Sequence, residues 1–577
     1  MANAAALPVL IASSLFSDYC PSGLVLALAL RKNGIPMRII DKELKPRFGE
    51  RGAGLSPRSI ELHRLLGTGH DVLDAAKPLP WTRHYAPDGV TPVKTFQMVP
   101  QVEARVGIPN PNALMLGQHH HEAILRAHLE KMGTKVEFGA ELTGFSQSEG
   151  AVTVEITHRD VNGAGKDVVE TLDVTFLVGA DGAHSFVRKA LGLGFLGETR
   201  VGDTMVLGDV EVKGGPREYW EQWGGVSTGR VANLRPSGQD PHICTFLFAG
   251  TGFEPEKIHA SREALTFLSL FYEISNRRDI EFGEVVWSAV YRNRPNIRMV
   301  DCMRVNRVFV LGDAAHCHTP AGGQGMNSGI QDSLNLGWKL ALVYRGIAPL
   351  GLLDTFGEER LPVIAEMLHK TTEMFGHVMK TAGGERGGRG GDFSQLGVNY
   401  RNSSIVLSNH SNDAISTPVR TPSYNKESET AALPGDRAPD APSLIDISDD
   451  STTTLFGLLS PSFHTVFVFS SDQDHEYGGD GWSWRDVGEV IARQPGNTVR
   501  SVLVLRRGSN LKITGDSGTD EKRFFDCVVR DEEGCAFEGY KVAAREELIV
   551  IVRPDGVIGA RTGAVEGIGR YFGKLFD

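Results

Sequence analysis

The N-terminal segment, residues 7–41, alternates between apolar runs and short polar breaks. Leu7–Ile11 is a short apolar run of the kind that forms a strand buried on both faces. The apolar stretch from Pro21 to Asn33 predicts a helix, and Gly34 ends it as glycine commonly does. Met37–Ile40 is the next predicted strand, and it closes on Asp41. This order is a βαβ unit, which predicts a parallel sheet.

Two later segments repeat the strand signal, and each continues into glycine and aspartate. Thr175–Val178 runs into GADG, and Arg307–Leu311 runs into GDAAH. Residues 81–110 and about 204–290 show a more alternating and less helical pattern. Because alternation is typical of an antiparallel sheet with one buried face, these two regions predict a second layer.

The composition changes abruptly after a predicted helix around Leu361–Lys380. Residues 383–392 read GGERGGRGGD, and Ser, Asn, Thr and Gly dominate up to about residue 434, which predicts a linker. A new domain is predicted from residue 435 onward. Its signals are strands at Thr465–Ser470, Val499–Leu505 and Glu547–Val552, a hairpin turn at 554–556 and a helix near Val565–Leu575. That order predicts a small α/β domain.

Size and composition exclude several classes of protein. At 577 residues, the chain is long enough for two or three domains. A formal net charge of −11 argues against a nucleic-acid partner or an anionic membrane, since either favours basic patches. The six cysteines form no CxxC pair, which favours reduced thiols. No run is apolar enough to span a bilayer. We therefore expect a cytoplasmic protein without a membrane or nucleic-acid partner.

Glycine and aspartate follow three predicted strands, at the carboxyl edge where open α/β sheets bind ligands. In the first segment, Ser22 and Gly23 begin a helix whose N-terminal amides can face a pyrophosphate. Asp41 follows Gly23 by 18 residues. A carboxylate that holds a ribose hydroxyl is expected at a spacing of roughly 20 residues.

The other two segments are 176–192 and 307–342. Glycines in the second of these allow backbone to approach a flat ligand closely, and a helix beginning near Met326 aims its positive end there. Each feature alone is weak, but their order and spacing together are far more specific. The candidate cofactor residues of these two segments are Asp181, Gly182, Gly312, Asp313, Gly323, Gly325, Met326 and Asn327.

These two segments closely resemble the DG and GD fingerprints of the FAD-dependent aromatic hydroxylases, which are the class A flavoprotein monooxygenases. The resemblance covers about residues 7–375 and includes RGAGLSPRSIELHRLLG at 51–67, the region of Gln118, and LLDTFGEERLP at 352–362. VRPDGVIGAR at 552–561 resembles the thioredoxin-like domain appended in phenol hydroxylases, which usually lacks the redox CxxC, as this one does.

The resemblance implies an α/β fold with a Rossmann-like FAD-binding domain, an antiparallel-sheet substrate domain and a C-terminal thioredoxin-like α/β domain. In the family the last domain serves packing or dimerisation, so a homodimer is expected. The expected boundaries are FAD-binding parts at 1–80, 111–203 and 301–380, substrate-sheet parts at 81–110 and 204–300, a linker at 381–434 and the thioredoxin-like domain at 435–577.

The resemblance also implies a reaction. The chain is expected to hydroxylate a phenolic or related aromatic substrate with FAD, O2 and either NADPH or NADH, through a flavin C4a-hydroperoxide. The protein would position the ring, stabilise charge and exclude water, while FAD supplies the redox chemistry. Epoxidation and oxidative ring cleavage by the same intermediate stay open, and the choice between NADPH and NADH is not made.

Four FAD contacts follow from the resemblance. Asp313 is expected to hold the ribityl chain and Asp41 the adenosine ribose. Arg51 and Gln118 are expected to touch the phosphate and ribityl region of FAD.

The same resemblance places residues nearer the reaction. Asp181 and Gly182 are expected to couple FAD binding to the pyridine nucleotide, and Pro320 to lie over the flavin. Phenol hydroxylases carry an aspartate where this chain has Ala53. Tyr291 is therefore the candidate hydroxyl that orients or deprotonates a phenol.

The turn after the first strand departs from the family. It reads ASSLFSDYC, residues 12–20, and places Asp18 and Cys20 where the first two glycines of a compact turn would stand. Asp18 near a phosphate adds repulsion between like charges, so weaker FAD binding is expected. Either the chain is an authentic hydroxylase with a damaged or mispredicted turn, which we favour, or it is a non-catalytic pseudoenzyme that acts as an assembly partner.

Other interpretations compete at a few positions, and no metal is expected. His316 and His318 with Asp313 mimic a metal-binding cluster, but the flavin interpretation explains them. The histidines of 119–121 could bind a metal, although an exposed helix start is favoured. Trp287 is expected in the core. Cys527 and Cys535 are expected to be structural thiols.

Overall fold

The computed structural model describes residues 7–13, 21–159, 166–199, 204–214, 218–225, 229–250, 264–291, 296–317, 323–380, 394–407, 421–424, 432–471, 483–509 and 524–576. Its helices are α1 (Ser22–Lys32), α2 (Pro57–Leu66), α3 (Gly69–Ala75), α4 (Gln118–Lys131), α5 (Phe186–Ala190), α6 (Ala264–Ser275), α7 (Gln324–Tyr344), α8 (Thr355–Lys380), α9 (Trp484–Ala492), α10 (Cys535–Gly539) and α11 (Glu566–Phe576). Among these helices, no segment is long and apolar enough to cross a membrane.

The strands are β1 (Val9–Ser13), β2 (Met37–Asp41), β3 (Gly54–Leu55), β4 (Lys77–Pro78), β5 (Thr82–Tyr85), β6 (Pro92–Phe96), β7 (Leu114–Met115), β8 (Val136–Phe138), β9 (Ala140–Gln147), β10 (Val152–His158), β11 (Val168–Val174), β12 (Phe176–Ala180), β13 (Phe195–Thr199), β14 (Thr204–Val212), β15 (Trp220–Gly225), β16 (Arg230–Pro236), β17 (Ile243–Gly250), β18 (Phe282–Tyr291), β19 (Asn296–Val300), β20 (Arg304–Val305), β21 (Val308–Val310), β22 (His316–Cys317), β23 (Leu444–Asp446), β24 (Thr452–Thr453), β25 (His464–Phe469), β26 (Val499–Arg506), β27 (Cys527–Asp531), β28 (Leu548–Val552) and β29 (Ile558–Thr562).

A six-stranded sheet gathers the four strands predicted from apolar runs. Its order is β20-β21-β12-β1-β2-β8, and every pairing from β21 to β8 is parallel. Ser13 pairs with Ala180 on one side and with Asp41 on the other, so these strands end together. The parallel βαβ prediction is therefore confirmed, with β1 beginning two residues later than expected.

The second sheet has seven strands in the order β18-β14-β17-β16-β15-β5-β6. All its pairings are antiparallel except β15 with β5, which accords with the predicted second layer. One face packs on α6 through an aromatic cluster that includes Phe246, Phe248 and Phe267. The alternating pattern arises because the opposite face is only half-buried.

The C-terminal domain is built on a third large sheet in the order β24-β23-β27-β26-β25-β28-β29. β25 is parallel to β26 and antiparallel to β28, and β28 and β29 form the predicted hairpin. Helix α11 follows that hairpin, so the expected small α/β domain is present. Its core continues into the first domain, because Trp338 and Leu342 of α7 share a cluster with its strands.

The described part of the predicted linker contains buried apolar side chains that pack against both flanking domains. Leu396, Val398, Tyr400 and Tyr424 are all buried. The last three pack with Val363 of α8 and Val557 of the C-terminal domain. These described residues are therefore packed into the fold, since a few well-placed apolar side chains outweigh the polar composition around them.

Helices α1 and α7 pack so closely that the contact depends on a glycine. A Cβ added at Gly337 would lie 2.9 Å from the Cβ of Ala29, closer than real side chains approach. Gly569 in α11 has no atom of the described residues within 4 Å of the same position.

We expect Gly337→Ala to destabilise the protein by about 1–2 kcal/mol through overpacking. Gly569→Ala should instead stabilise it by about 0.5–1 kcal/mol, because alanine favours a helix. Thermal unfolding of both variants measures the difference. A Gly337→Ala midpoint at or above that of Gly569→Ala would contradict the close α1–α7 contact.

Candidate active site

The carboxyl edge of the parallel sheet brings together the aspartates predicted from three distant segments. Asp41 is the last residue of β2, and it pairs with Phe138 of β8 in the sheet. Asp181 directly follows β12, and Asp313 lies in a 3-10 turn just after β21. Asp41 and Asp313 are buried. Ser22 and Gly23 open α1 at the same edge, where a Cβ on Gly23 would lie 3.3 Å from Oγ of Ser13.

Asp181 stabilises the start of a helix. Its Oδ2 accepts hydrogen bonds from the backbone amides of Phe186 at 2.6 Å and Val187 at 3.1 Å. Burial raises the pKa of Asp181, although these hydrogen bonds favour the charged form. Gly182 has φ +78°, a left-handed conformation that suits glycine.

Asp332 of α7 holds the turn that contains Gly312 and Asp313. Its Oδ2 accepts from the backbone amide of Gly312 at 3.1 Å and bonds Nε2 of His316 at 2.7 Å. Its Oδ1 accepts from Nε of Arg360 at 2.6 Å. Burial alone would raise the pKa of Asp332, but the charges of Arg360 and His316 lower it to about 2.

These contacts give His316 a structural partner other than a metal. His318, the second histidine of the apparent cluster, lies outside the described residues.

The N-terminal turn of α7 meets the segment before α2. Gly323 precedes the helix with φ +63°. Asn327 accepts from the backbone amide of Ser56 at 2.8 Å through Oδ1. Its Nδ2 donates to the carbonyls of Gly54 at 2.9 Å and Gly323 at 2.7 Å. The other candidates of this turn, Gly325 and Met326, are buried.

Arg51 lies in the segment between β2 and β3 and contacts the second sheet. It has φ +38°, and its guanidinium lies 5.1 Å from the ring centroid of Trp287. Trp287 donates through Nε1 to Oδ2 of Asp209, and the same oxygen accepts from the amide of Glu50 at 2.6 Å. Asp209 is fully buried, and burial raises its pKa. Trp287 was expected in the core, but it is only half-buried and stacks on Arg51.

Gln118 begins α4 beside this corner and is buried. Its Nε2 donates to Oε1 of Glu122 at 2.6 Å. Its Oε1 has no hydrogen-bond partner among the described residues, and the Cβ position of Gly52 lies 3.8 Å from it.

The three histidines after Gln118 are not an exposed helix start. His121 is fully buried and shares a 2.9 Å hydrogen bond with His63. His119 and His120 are half-buried beside Glu50. One potential ligand atom from each of Glu50, His119 and His120 lies within 4.8 Å of the other two. The guanidinium of Arg235 lies 3.6 Å from Oε2 of Glu50, which disfavours a metal cation there.

The half-buried face of the second sheet lies toward this corner. Leu207, Leu247, Asn233 and Gln222 stand side by side in register across four strands. Asp209 is two residues from Leu207 and so lies on the same face. Its hydrogen bond to the amide of Glu50 shows that this face meets the segment between β2 and β3. This face of the second sheet therefore presents both polar and apolar side chains beside the segment that carries Glu50 and Arg51.

The comparisons with known proteins agree with this geometry. The model of the FAD binding domain family matches residues 20–371, which is more than half of the chain. A flavin-dependent monooxygenase of Mycobacteroides abscessus is 34% identical over 453 residues, covering 78% of this chain and 87% of that protein. The chain belongs to the family of FAD-dependent aromatic monooxygenases.

Two other similar proteins extend over nearly the whole chain. Pentachlorophenol 4-monooxygenase of Sphingobium chlorophenolicum is 26% identical over 95% of this chain and 93% of that protein. The crystal structure of aklavinone-11 hydroxylase with FAD and aklavinone has a TM-score of 0.72 at 23% identity, covering 99% and 98% of the two chains. This monooxygenase therefore shares its overall fold with that hydroxylase.

The residues at the carboxyl edge fit FAD, the cofactor of the family. Around Gly54 and Gly323, no atom of the described residues lies within 4 Å of the position a Cβ would take. The buried Oε1 of Gln118, 3.8 Å from the Cβ position of Gly52, offers a hydrogen-bond acceptor. Glycine-lined backbone and buried polar atoms are what a flat, hydroxyl-rich dinucleotide requires.

Several predicted positions lie outside the described residues. They are Pro320, the side chain of Tyr291 and residues 14–20 of the unusual turn. The backbone of Tyr291 is described, and it pairs with Met205 in the second sheet. The comparisons give no support to the pseudoenzyme alternative, because the relatives are named monooxygenases.

Sequence reasoning missed Asp209, Asp332 and Arg360. A charged residue inside the apolar strand TMVLGDVEV was a usable signal for Asp209. Asp332 and Arg360 lie in different helices and are separated by 28 positions in the sequence. Only the tertiary structure reveals their pairing.

We expect Asp332→Asn to lower the free energy of unfolding by about 3–5 kcal/mol near neutral pH, because Arg360 keeps a buried charge without its partner. The pKa of Asp332 is depressed from 3.8 to about 2 in the fold. Protonation of Asp332 alone should therefore cost the wild type about 2 kcal/mol as pH falls from 4 to 2, and the variant should lose correspondingly less stability than the wild type.

Denaturant unfolding across this pH range measures both effects. Asp74→Asn is the matched control, since the Asp74 side chain is 67% exposed. Equal stability of Asp332→Asn and Asp74→Asn at neutral pH would contradict the role assigned to this carboxylate.

Proposed function

We propose that this monooxygenase hydroxylates a phenolic or related aromatic compound, using FAD, O2 and NADPH or NADH. One oxygen atom enters the ring, the other leaves as water, and the nicotinamide supplies two electrons. When bound, FAD supplies the redox and oxygen-transfer chemistry. The observation that carries the proposal is that the half-buried face of the second sheet meets the segment after β2. There the Asp209 carboxylate binds the Glu50 amide, and Trp287 contacts Arg51.

The carboxyl edge supports the cofactor contacts. The amides at Ser22 and Gly23 would bind the pyrophosphate at the positive end of α1. Asp41, two strands away from Asp181 in the sheet, is suited to the adenosine ribose. Asp181 and Gly182 are proposed to respond to the pyridine nucleotide.

The flavin half of the cofactor would lie nearer the second sheet. Asp313 would accept hydrogen bonds from the ribityl chain, and Gln118 would use its buried Oε1. The amides of Gly325, Met326 and Asn327 in the first turn of α7 would favour negative charge on the ring. Gly312 and Gly323 would let this ring lie close to the backbone. We propose that Pro320 lies over the flavin.

The aromatic substrate would bind against the half-buried face. Leu207 and Leu247 supply apolar contact for a ring, and Asn233 and Gln222 supply hydrogen bonds at its rim. Tyr291 belongs to β18 at the edge of this sheet, and we propose that its hydroxyl orients the phenol or accepts its proton.

We also propose a thioredoxin-like fold for the C-terminal domain and a dimeric assembly for the protein. A parallel pair β25–β26, an antiparallel hairpin β28–β29 and a following helix support a thioredoxin-like fold. We propose that the protein is a cytoplasmic homodimer, as the resemblance to phenol hydroxylases implies.

We expect Tyr291→Phe to lower kcat by about 100-fold for a phenol that is neutral at the assay pH, with KM changed much less. For a phenol already ionised at that pH, the loss should be small, because no proton has to be removed. NAD(P)H consumption and the mass of the hydroxylated product measure both reactions.

Tyr272→Phe is the control, because the Tyr272 hydroxyl donates to the carbonyl of Ile280 on the α6 side of the sheet. Equal losses with both phenols would refute the role of Tyr291 as a base. A ring-opened product in place of a hydroxylated one would refute the proposed reaction.

A further inference from the structure

The segment 394–400, here termed the strap, packs against the N-terminal ends of α2 and α7. It follows α8 in the sequence and precedes the C-terminal domain. Its Gln395 is only 1% exposed and has φ +59°, which is unusual for a residue other than glycine. A buried polar side chain on a left-handed backbone indicates a position fixed by specific contacts.

The strap completes the N-terminal turn of α2. The first backbone amides of a helix have no partner within the helix. The carbonyl of Ser394 accepts from the amide of Arg58 at 3.1 Å. Ser56, the N-cap residue of α2, donates through Oγ to Oε1 of Gln395 at 3.2 Å.

The same carboxamide binds α7 at two points. Nε2 of Gln395 donates to Oε1 of Gln324 at 2.5 Å. Oε1 of Gln395 accepts from Nε2 of Gln331 at 2.7 Å. Gln324 is the first residue of α7 and Gln331 lies two turns further, so Gln395 fixes the position of the helix start.

Asn327 links the contacts of Gln395 to the glycine loop before α7, residues 323–327. Asn327 joins Ser56 to α7 and also holds the carbonyl of Gly323. Gln395 bonds Ser56 and Gln324, which flank that junction. The strap therefore closes a ring of hydrogen bonds around the first turn of α7.

A second strap residue, Tyr400, is linked through Arg360 and Asp332 to the loop at 312–314. The hydroxyl of Tyr400 accepts from Nη1 of Arg360 at 3.0 Å. Arg360 in turn binds Asp332, which holds the amide of Gly312. Tyr400 is buried, so this path is shielded from water.

We propose that the strap is a component of the flavin site, with Gln395 and Tyr400 as positioning residues for the loops at 323–327 and 312–314. The inference rests on the proposed function, since it takes these loops as contacts of FAD. Loops already held in their bound conformation lose less entropy when a ligand binds. The strap thus strengthens FAD binding without touching FAD.

A simpler role is that the strap only tethers the C-terminal domain. In that case, removing its polar contacts would lower the thermal stability of the apoprotein and leave its affinity for FAD unchanged. The two roles therefore differ in one measurable ratio, the FAD dissociation constant of a variant relative to that of the wild type.

The experiment titrates apoprotein with FAD and records its thermal unfolding. We expect Gln395→Ala to raise the dissociation constant about tenfold and Tyr400→Phe about threefold, since each loses hydrogen bonds that position a loop. At saturating FAD, the visible circular dichroism of the bound flavin should also change. Tyr400→Phe keeps the buried ring, so it remains informative if Gln395→Ala does not fold.

Matched controls come from the C-terminal domain. Tyr571 is buried, and its hydroxyl has no hydrogen-bond partner among the described residues. Gln494 donates to the carbonyl of Val490 at the end of α9. Tyr571→Phe and Gln494→Ala should leave the dissociation constant unchanged.

Asp313→Ala separates failure of the inference from failure of the proposed function. If Asp313→Ala weakens FAD binding and both strap variants bind FAD like the wild type, the strap is only a tether and the inference is overturned. If Asp313→Ala also binds like the wild type, the proposed flavin contact fails, and the inference fails with it.

Discussion

The buried carboxylate of Asp332 is the constraint on which the rest of the flavin-binding domain depends. An ionised group without access to water costs several kcal/mol unless charges and hydrogen bonds compensate it. Here the compensation comes from Arg360 on α8, His316 on β22 and the amide of Gly312. Satisfying one charge therefore fixes two helices and the loop that carries Asp313.

A second buried network joins α7 and α8 to the C-terminal domain. Glu359 binds Lys339 at 2.7 Å and Arg553 at 2.6 Å, and all three side chains are fully buried. Burial lowers the pKa of Lys339 to about 8, against the opposing effect of Glu359. Because Arg553 belongs to the C-terminal domain, that domain completes the ionic core of the flavin-binding domain.

The sequence predicted those parts of the fold that depend on local pattern. Buried parallel strands are continuous apolar runs, so β1, β2, β12 and β21 were recognisable, and their carboxyl ends located the candidate site. The antiparallel sheet followed from alternation in the same way. The family resemblance then supplied the cofactor, which local pattern alone does not specify.

Tertiary contacts account for what the sequence did not predict. Trp287 resembles a core residue, but its partners Arg51 and Asp209 come from other segments. The strap has the polar composition of a linker, and its burial depends on partners in α2, α7 and α8. The histidines after Gln118 lie inside the structure because Glu50 and His63 pack on α4.

The most direct test of this account is a visible absorption spectrum of the purified chain after gel filtration, recorded before and after incubation with FAD. The account predicts flavin bands that migrate with the protein, because the loops at Gly312 and Gly323 are preorganised even though the turn at 12–20 lacks its glycines. A folded protein that retains no flavin after incubation would contradict it. Recovery of binding on restoring a short glycine-rich turn would then trace the failure to that turn.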